Sequence, residues 1–114
     1  MAKVYVGPAG VPIGLKGKRS TLDGIKYVKD IGLNAMEVEF VRGVRMSVAD
    51  AENAGKLAKE IGVRLSVHAP YFINLCSDKS DTVEASIKRL MESLERGEAM
   101  GATVVVFHPA YYGK

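Results

Sequence analysis

Two histidines stand out by what surrounds them. His68 ends the run Arg64-Leu-Ser-Val-His68, followed by Ala69-Pro70 and an aromatic pair, Tyr71 and Phe72. His108 ends Val104-Val-Val-Phe-His108, followed by Pro109. Both runs are rich in strand formers, and proline is poorly tolerated inside a central strand. Both imidazoles are therefore expected at the C-terminal ends of strands. Neighbouring parallel strands lie about 4.8 Å apart, and histidine–zinc bonds are about 2.0–2.1 Å. Two such rings can reach one metal, or two metals of a cluster. The alternative is a pair of separate rim histidines, each hydrogen-bonded to a neighbour. The matching positions and matching prolines favour a metal. Two imidazoles do not complete a zinc site, which takes at least three protein ligands, and the chain has only 2 histidines.

Glu37 and Glu39 are the carboxylates best placed to join them. They alternate with Met36, Val38 and Phe40, so both fall on one side of a strand. Either could be a ligand or a general base, and Glu39, nearer the strand's C-terminal end, is the better catalytic candidate. A buried ion pair with a basic neighbour is the competing explanation. Lys16, Lys18, Arg19, Arg42 and Arg45 fall in loops expected after strands. Singly they are solvated charges; gathered on one rim they would contact phosphates. Of Tyr71 and Phe72, one is expected to pack under its loop while the other is free to stack on a base or sugar. Cys76 lies well past the strand end and reads as a loop thiol.

The elements that must position these groups follow from turn and cap signals. Lys3-Val-Tyr-Val6, stopped by Gly7-Pro8, predicts a first strand. Residues 7–19 form a long loop rich in Gly and Pro. It is not a phosphate-binding P-loop: Gly17-Lys18 is followed by Arg19 rather than Ser or Thr. Ser20 or Thr21 can cap a first helix whose stripe is Leu22, Ile25, Val28 and Ile31, ended by Gly32. Residues 35–40 make a second strand. Ser47, with Asp50 three residues on, caps a second helix that stops at Gly62. Residues 64–69 are the third strand. Ser80 or Asp81 opens a third helix carrying Val83, Ile87, Leu90, Met91 and Leu94, and residues 103–107 are the fourth strand.

The punctuation repeats. Ile31-Gly32, Ile61-Gly62 and Met100-Gly101 each close a helix just before an apolar strand. A repeated βα unit calls for a parallel sheet with right-handed crossovers. An open doubly wound sheet would bury Glu37 and Glu39 beneath a helix, at a cost of several kcal/mol each if unpaired. In a closed barrel the same face lines the interior, and the C-terminal rim carries the active site. The expected fold class is α/β, about half of a TIM barrel with four strands and three helices. A whole barrel usually needs about 250 residues, so these 114 residues are expected to form a single domain, about half of a barrel. Its open edges and apolar inner face would be covered by the rest of a longer chain or by a homodimer partner.

The remaining bulk properties exclude more than they assert. Hydrophobic residues at 47% and charged residues at 25% are ordinary for a globular protein. No apolar run approaches the roughly 20 residues of a membrane span. The start, Met-Ala-Lys-Val-Tyr-Val-Gly, lacks the pattern of a signal peptide. With a single cysteine, the chain is expected to be cytoplasmic and without a membrane partner. A net charge of +3 permits a polyanionic partner without demanding one.

His68-Ala-Pro-Tyr-Phe-Ile-Asn-Leu75 resembles the His-x-x-Tyr-Leu-Ile-Asn-Leu segment of the endonuclease IV family, and Phe107-His-Pro109 resembles that family's Phe-His-Pro-Gly segment. The likeness spans the whole chain but only the N-terminal half of a xylose-isomerase-like barrel. It implies a zinc-dependent hydrolase of DNA repair that cleaves double-stranded DNA on the 5′ side of an abasic site. By position, it implies that His68 and His108 are zinc ligands and that Tyr71 is the rim aromatic entering the duplex. Arg42 or Arg45 would occupy the second-strand loop that contacts DNA in that family, and Lys18 would join them as a DNA-binding residue of the basic rim. Ala110 stands where that family usually has glycine, and its remaining metal ligands come from later strands. The 114 residues alone are therefore expected to show little or no nuclease activity. Two other functions fit the same barrel. One is a sugar isomerase or epimerase using manganese or magnesium, in which Glu39 matters more. The other is a non-catalytic half-barrel that self-associates.

Overall fold

The computed structural model describes residues 2–17 and 19–112. Three helices and three strands alternate in the order α1 (Thr21–Asp30), β1 (Ala35–Glu39), α2 (Val48–Ile61), β2 (Arg64–His68), α3 (Ser80–Ala99) and β3 (Val105–Val106). The sheet order is β1-β2-β3 and both pairings are parallel. The first two helices start where local chemistry directs. The Ser20 hydroxyl accepts the Asp23 N–H and the Ser47 hydroxyl accepts the Asp50 N–H, at 3.1 and 3.0 Å. Each satisfies a donor left over by the first helical turn. Gly62 closes α2 in the left-handed conformation, at φ 79°.

One face of the sheet is covered and the other is open. Met36 and Val38 of β1 and Leu65 and Val67 of β2 are buried with Ile25, Val28, Ala51, Ala54 and Ala58 from α1 and α2. The alanines let α2 lie close on the strands. Between these apolar positions, Glu37, Glu39, Ser66 and His68 project from the opposite face. This is the partial TIM-barrel arrangement expected from the sequence, with the polar stripe on the face opposite the helices.

Two strands differ from expectation. Lys3-Val-Tyr-Val6 is not a regular strand, so three strands rather than four are found among the described residues. The segment still runs beside β1, through residues 6–10. Asn34 N–H donates to Val6 O, Glu37 N–H to Pro8 O, and Gly10 N–H to Glu37 O. Pro8 has no N–H to return. The Asn34 side chain further takes up Val6 N–H and Val4 O, at 2.8 and 2.9 Å, bonds that a ladder would use. The expected strand at 103–107 contracts to Val105–Val106, which has a partner on one side only.

The apolar residues read along α3 are not its most buried positions: Val83 and Leu90 are half-buried, and Ile87, Met91 and Leu94 are exposed. Ile87 and Met91 are 49% and 59% exposed, while Ser86, Ser93 and Gly97 are buried. The reason is close approach: a Cβ on Gly97 would sit 3.0 Å from Val105 Cγ2. The two serines tolerate burial because each hydroxyl donates to a carbonyl four residues back, Thr82 O at 2.7 Å and Arg89 O at 2.8 Å. Among the described residues no helix is long and apolar enough to cross a membrane.

Candidate metal centre and its rim

The two histidines meet. His68 closes β2 opposite Val106, and His108 lies two residues beyond Val106, on the same face of its chain. Their ring centroids are 5.2 Å apart and the rings are tilted by 43°. Nδ1 of His68 stands 2.7 Å from the Ala69 carbonyl oxygen. A carbonyl can only accept, so Nδ1 is the donor in this contact, and in the neutral ring that tautomer leaves the lone pair on Nε2. That is the arrangement by which proteins orient a metal-binding imidazole. With bonds of about 2.05 Å and a tetrahedral angle, two imidazoles on one zinc would have centroids about 5 Å apart. The separation of 5.2 Å matches that spacing. Among the described residues, no group of three or more His, Cys, Asp or Glu side chains could hold a metal ion. The donor set here is two imidazoles, not a finished site.

Glu39 is the residue paired with His68 across the sheet, and Glu37 is paired with Ser66, whose hydroxyl donates to Glu37 Oε2 at 3.5 Å. A hydrogen bond with the Glu37 carboxyl holds the Glu39 carboxyl above the usual glutamate range. Partial burial and repulsion from Glu37 add to this, and nearby His68 opposes it. Among the described residues Glu39 forms no ion pair with Lys or Arg, and the ion pair found there joins Arg96 to Glu95.

The basic loop residues divide. Arg42 and Arg45 line a cleft of about 350 Å³ together with Glu39 and Val41 at the C-terminal rim. Arg19 is committed elsewhere, donating to the carbonyls of Leu15 and Val11 at 2.8 and 3.0 Å. It shapes the first loop rather than forming part of a free cationic rim. Lys18 lies outside the described residues. Tyr71 and Phe72 are both about half exposed, with ring centroids 5.0 Å apart. Neither packs under the loop; Pro70 and Ile73 fill that place. Cys76 is an exposed free thiol, as expected for a loop residue.

The sequence did not point to Val41, Ser86 or Arg89. Val41 adopts a positive φ of 41°, a costly backbone conformation for a β-branched residue. Its carbonyl accepts the Tyr71 N–H at 3.2 Å. Ser86 and Arg89 reach the same loop from α3, contacts across 12 and 17 residues of sequence that no local pattern announces.

A parallel βα sheet with paired histidines at the carboxyl ends of its strands defines a protein of the TIM-barrel class. The family model described as xylose isomerase-like TIM barrel matches residues 25–114, and the chain belongs to that family. An uncharacterised protein of Methanocaldococcus jannaschii is 38% identical over 110 residues, covering 95% of this chain and 37% of its own length. A "Probable endonuclease 4" of Ureaplasma parvum is 41% identical over 108 residues, covering 88% of this chain and 36% of its own. The chain thus spans little more than a third of these relatives. Among solved structures, endonuclease IV from Thermus thermophilus superposes with a TM-score of 0.68 at 26% identity, over 83% of this chain and 37% of that one. A D-psicose 3-epimerase reaches 0.59 at 23% identity, over 73% and 29%, which is a likeness of fold.

Proposed function

We propose that this chain is the N-terminal part of a zinc-dependent, endonuclease IV-like enzyme that hydrolyses DNA on the 5′ side of abasic sites. The observation that carries the reading is the His68–His108 pair, 5.2 Å between centroids, with Nδ1 of His68 held by the Ala69 carbonyl. His68 and His108 would hold zinc through ring nitrogens. When bound, zinc polarises a phosphoryl oxygen and lowers the pKa of water in its shell. The side chains of this chain do the rest. Glu39, raised above the usual carboxyl range beside His68, is suited to hold a proton. Arg42 and Arg45, and Lys18 by position, would contact backbone phosphates, and half-exposed Tyr71 would enter the duplex.

Two histidines give too few ligands for a working centre. The 114 residues alone should therefore bind zinc weakly and turn over little or no substrate. The test is an abasic-site duplex offered to the pure chain with zinc, with binding followed at two salt concentrations. Phosphate contacts predict affinity that falls steeply with salt. Turnover by the chain alone would contradict the proposal, as would salt-independent binding. The raised Glu39 carboxyl also suits proton transfer on a sugar with manganese or magnesium; that reading predicts no duplex binding. Val104 and Val106 lie exposed on the open side. Sedimentation of the pure chain tests whether a homodimer covers them.

A further inference from the structure

We propose that Ser86 and Arg89 of α3 are positioning residues for the histidine rim, holding the loop after β2 and, through it, the segment that carries His108. The proposal takes its meaning from the two-histidine centre proposed above. Its geometry stands independently.

The loop at residues 70–76 is tied at four points, two of them on α3. Asn74 N–H donates to the Ser86 hydroxyl at 2.8 Å, and Arg89 Nη1 donates to Phe72 O at 2.9 Å. Tyr71 N–H donates to Val41 O at 3.2 Å. Leu75 N–H donates to Pro109 O at 2.8 Å. Ile73, fully buried, anchors the centre.

The bond to Pro109 gives the loop its reach. β3 ends at Val106, whose carbonyl accepts the Ala69 N–H. Beyond it, among the described residues, the Leu75–Pro109 bond is the backbone hydrogen bond holding the chain that carries His108 to the body of the protein. His108 itself is exposed and is not fixed by packing. Its place beside His68 therefore depends on where Leu75 stands. Leu75 follows directly on Asn74, the residue Ser86 holds.

Ser86 is committed on both sides, donating to Thr82 O and accepting from Asn74. Ser93 provides a matched comparison. It is equally buried and donates to Arg89 O, but has no partner in the loop. A purely structural role for a buried serine on this helix predicts the same outcome for Ser86→Ala and Ser93→Ala. A positioning role predicts different outcomes.

The experiment uses the full chain as wild type, Ser86→Ala, Ser93→Ala, Arg89→Ala and Arg89→Lys. Without metal, amide exchange at Asn74 and Leu75 is measured by NMR, with the cross-peaks between the His68 and His108 rings. Ser86→Ala and Arg89→Ala should speed exchange at Asn74 and Leu75 about tenfold, the equivalent of one net hydrogen bond. They should also weaken the inter-ring cross-peaks. Ser93→Ala should leave both unchanged, and Arg89→Lys should recover part of the loss. With zinc, Ser86→Ala and Arg89→Ala should weaken affinity by about tenfold or more, as for other groups that orient a metal ligand.

If Ser86→Ala matches Ser93→Ala in Leu75 exchange and ring contact, the proposal is overturned. Should Ser86→Ala fail to fold, Arg89→Ala, at a partly exposed site, decides the question by the same two readings. A wild type that binds no zinc would sink the metal centre, while the metal-free readings would still decide whether α3 positions the rim.

Discussion

Gly7→Ala is predicted to peel the N-terminal segment from β1 while sparing the histidine rim. A Cβ at Gly7 would lie 1.6 Å from Ala35 O and 2.3 Å from Ala35 C, both backbone atoms that no rotamer change can move. Restoring an ordinary contact requires a shift of about 1.5–2 Å. The adjacent bonds, Asn34 N–H to Val6 O at 3.2 Å and Glu37 N–H to Pro8 O at 3.0 Å, cannot survive it. At about 0.5–1.5 kcal/mol net for each bond, their loss costs about 1–3 kcal/mol. Replacing glycine by alanine returns about 0.4–1 kcal/mol by restricting the unfolded chain. Taking the middle of each range, the net is a destabilisation of about 1.3 kcal/mol, or roughly 5–10 °C in Tm for a domain of this size. Calorimetry reads the total, and amide exchange locates it. Protection should fall at Asn34 and Glu37 and persist at Phe40 and Ala69, which donate to His68 O and Val106 O. An unchanged Tm with Glu37 still protected would refute the close approach.

Three further outcomes follow from the same geometry. Glu37→Gln removes the carboxyl that raises Glu39, so the Glu39 titration followed by carboxyl NMR should move down toward the ordinary glutamate value. A raised carboxyl pKa means the folded state holds its proton more tightly than the unfolded chain. That contribution is present below the ordinary value and is lost as pH rises through the folded one. Glu37→Gln should therefore be more stabilising, relative to wild type, at about pH 7 than at about pH 4 in urea unfolding, and equal effects would argue against the pairing. Ser47→Ala should cost about 1 kcal/mol in the same assay through loss of the bond to Asp50 N–H. If Arg42 and Arg45 contact phosphate, alanine at either should lower the salt slope of duplex binding by about 1, without changing sequence preference.

Much of the scaffold was legible because its signals are local. Ser20 and Ser47 cap the helices by side-chain bonds within three residues, and Gly62 stops a helix through its own φ. The alternation of Met36 and Val38 with Glu37 and Glu39 gave the two faces of β1. Non-local features escaped. The apolar stripe of α3 announces that something should cover it, but only the approach of Gly97 to Val105 explains why Ser86 and Ser93 face inward. Lys3-Val-Tyr-Val6 has strand composition, yet the Asn34 side chain and Pro8 decide its pairing. At the site, the histidines were legible as strand-end residues. What holds them together was not, because it depends on Leu75 meeting Pro109 and on α3 meeting the loop.

The most direct measurement is a zinc titration of the wild-type chain, His68→Ala, His108→Ala and the double variant, followed by competition with a chromophoric chelator. If both imidazoles hold one ion, wild type binds saturably and each single substitution weakens binding. The double variant then loses less than the sum of the two, the coupling expected of ligands to a shared metal. Absence of saturable binding by wild type, or strictly additive losses from two independent sites, would contradict a shared centre at His68 and His108.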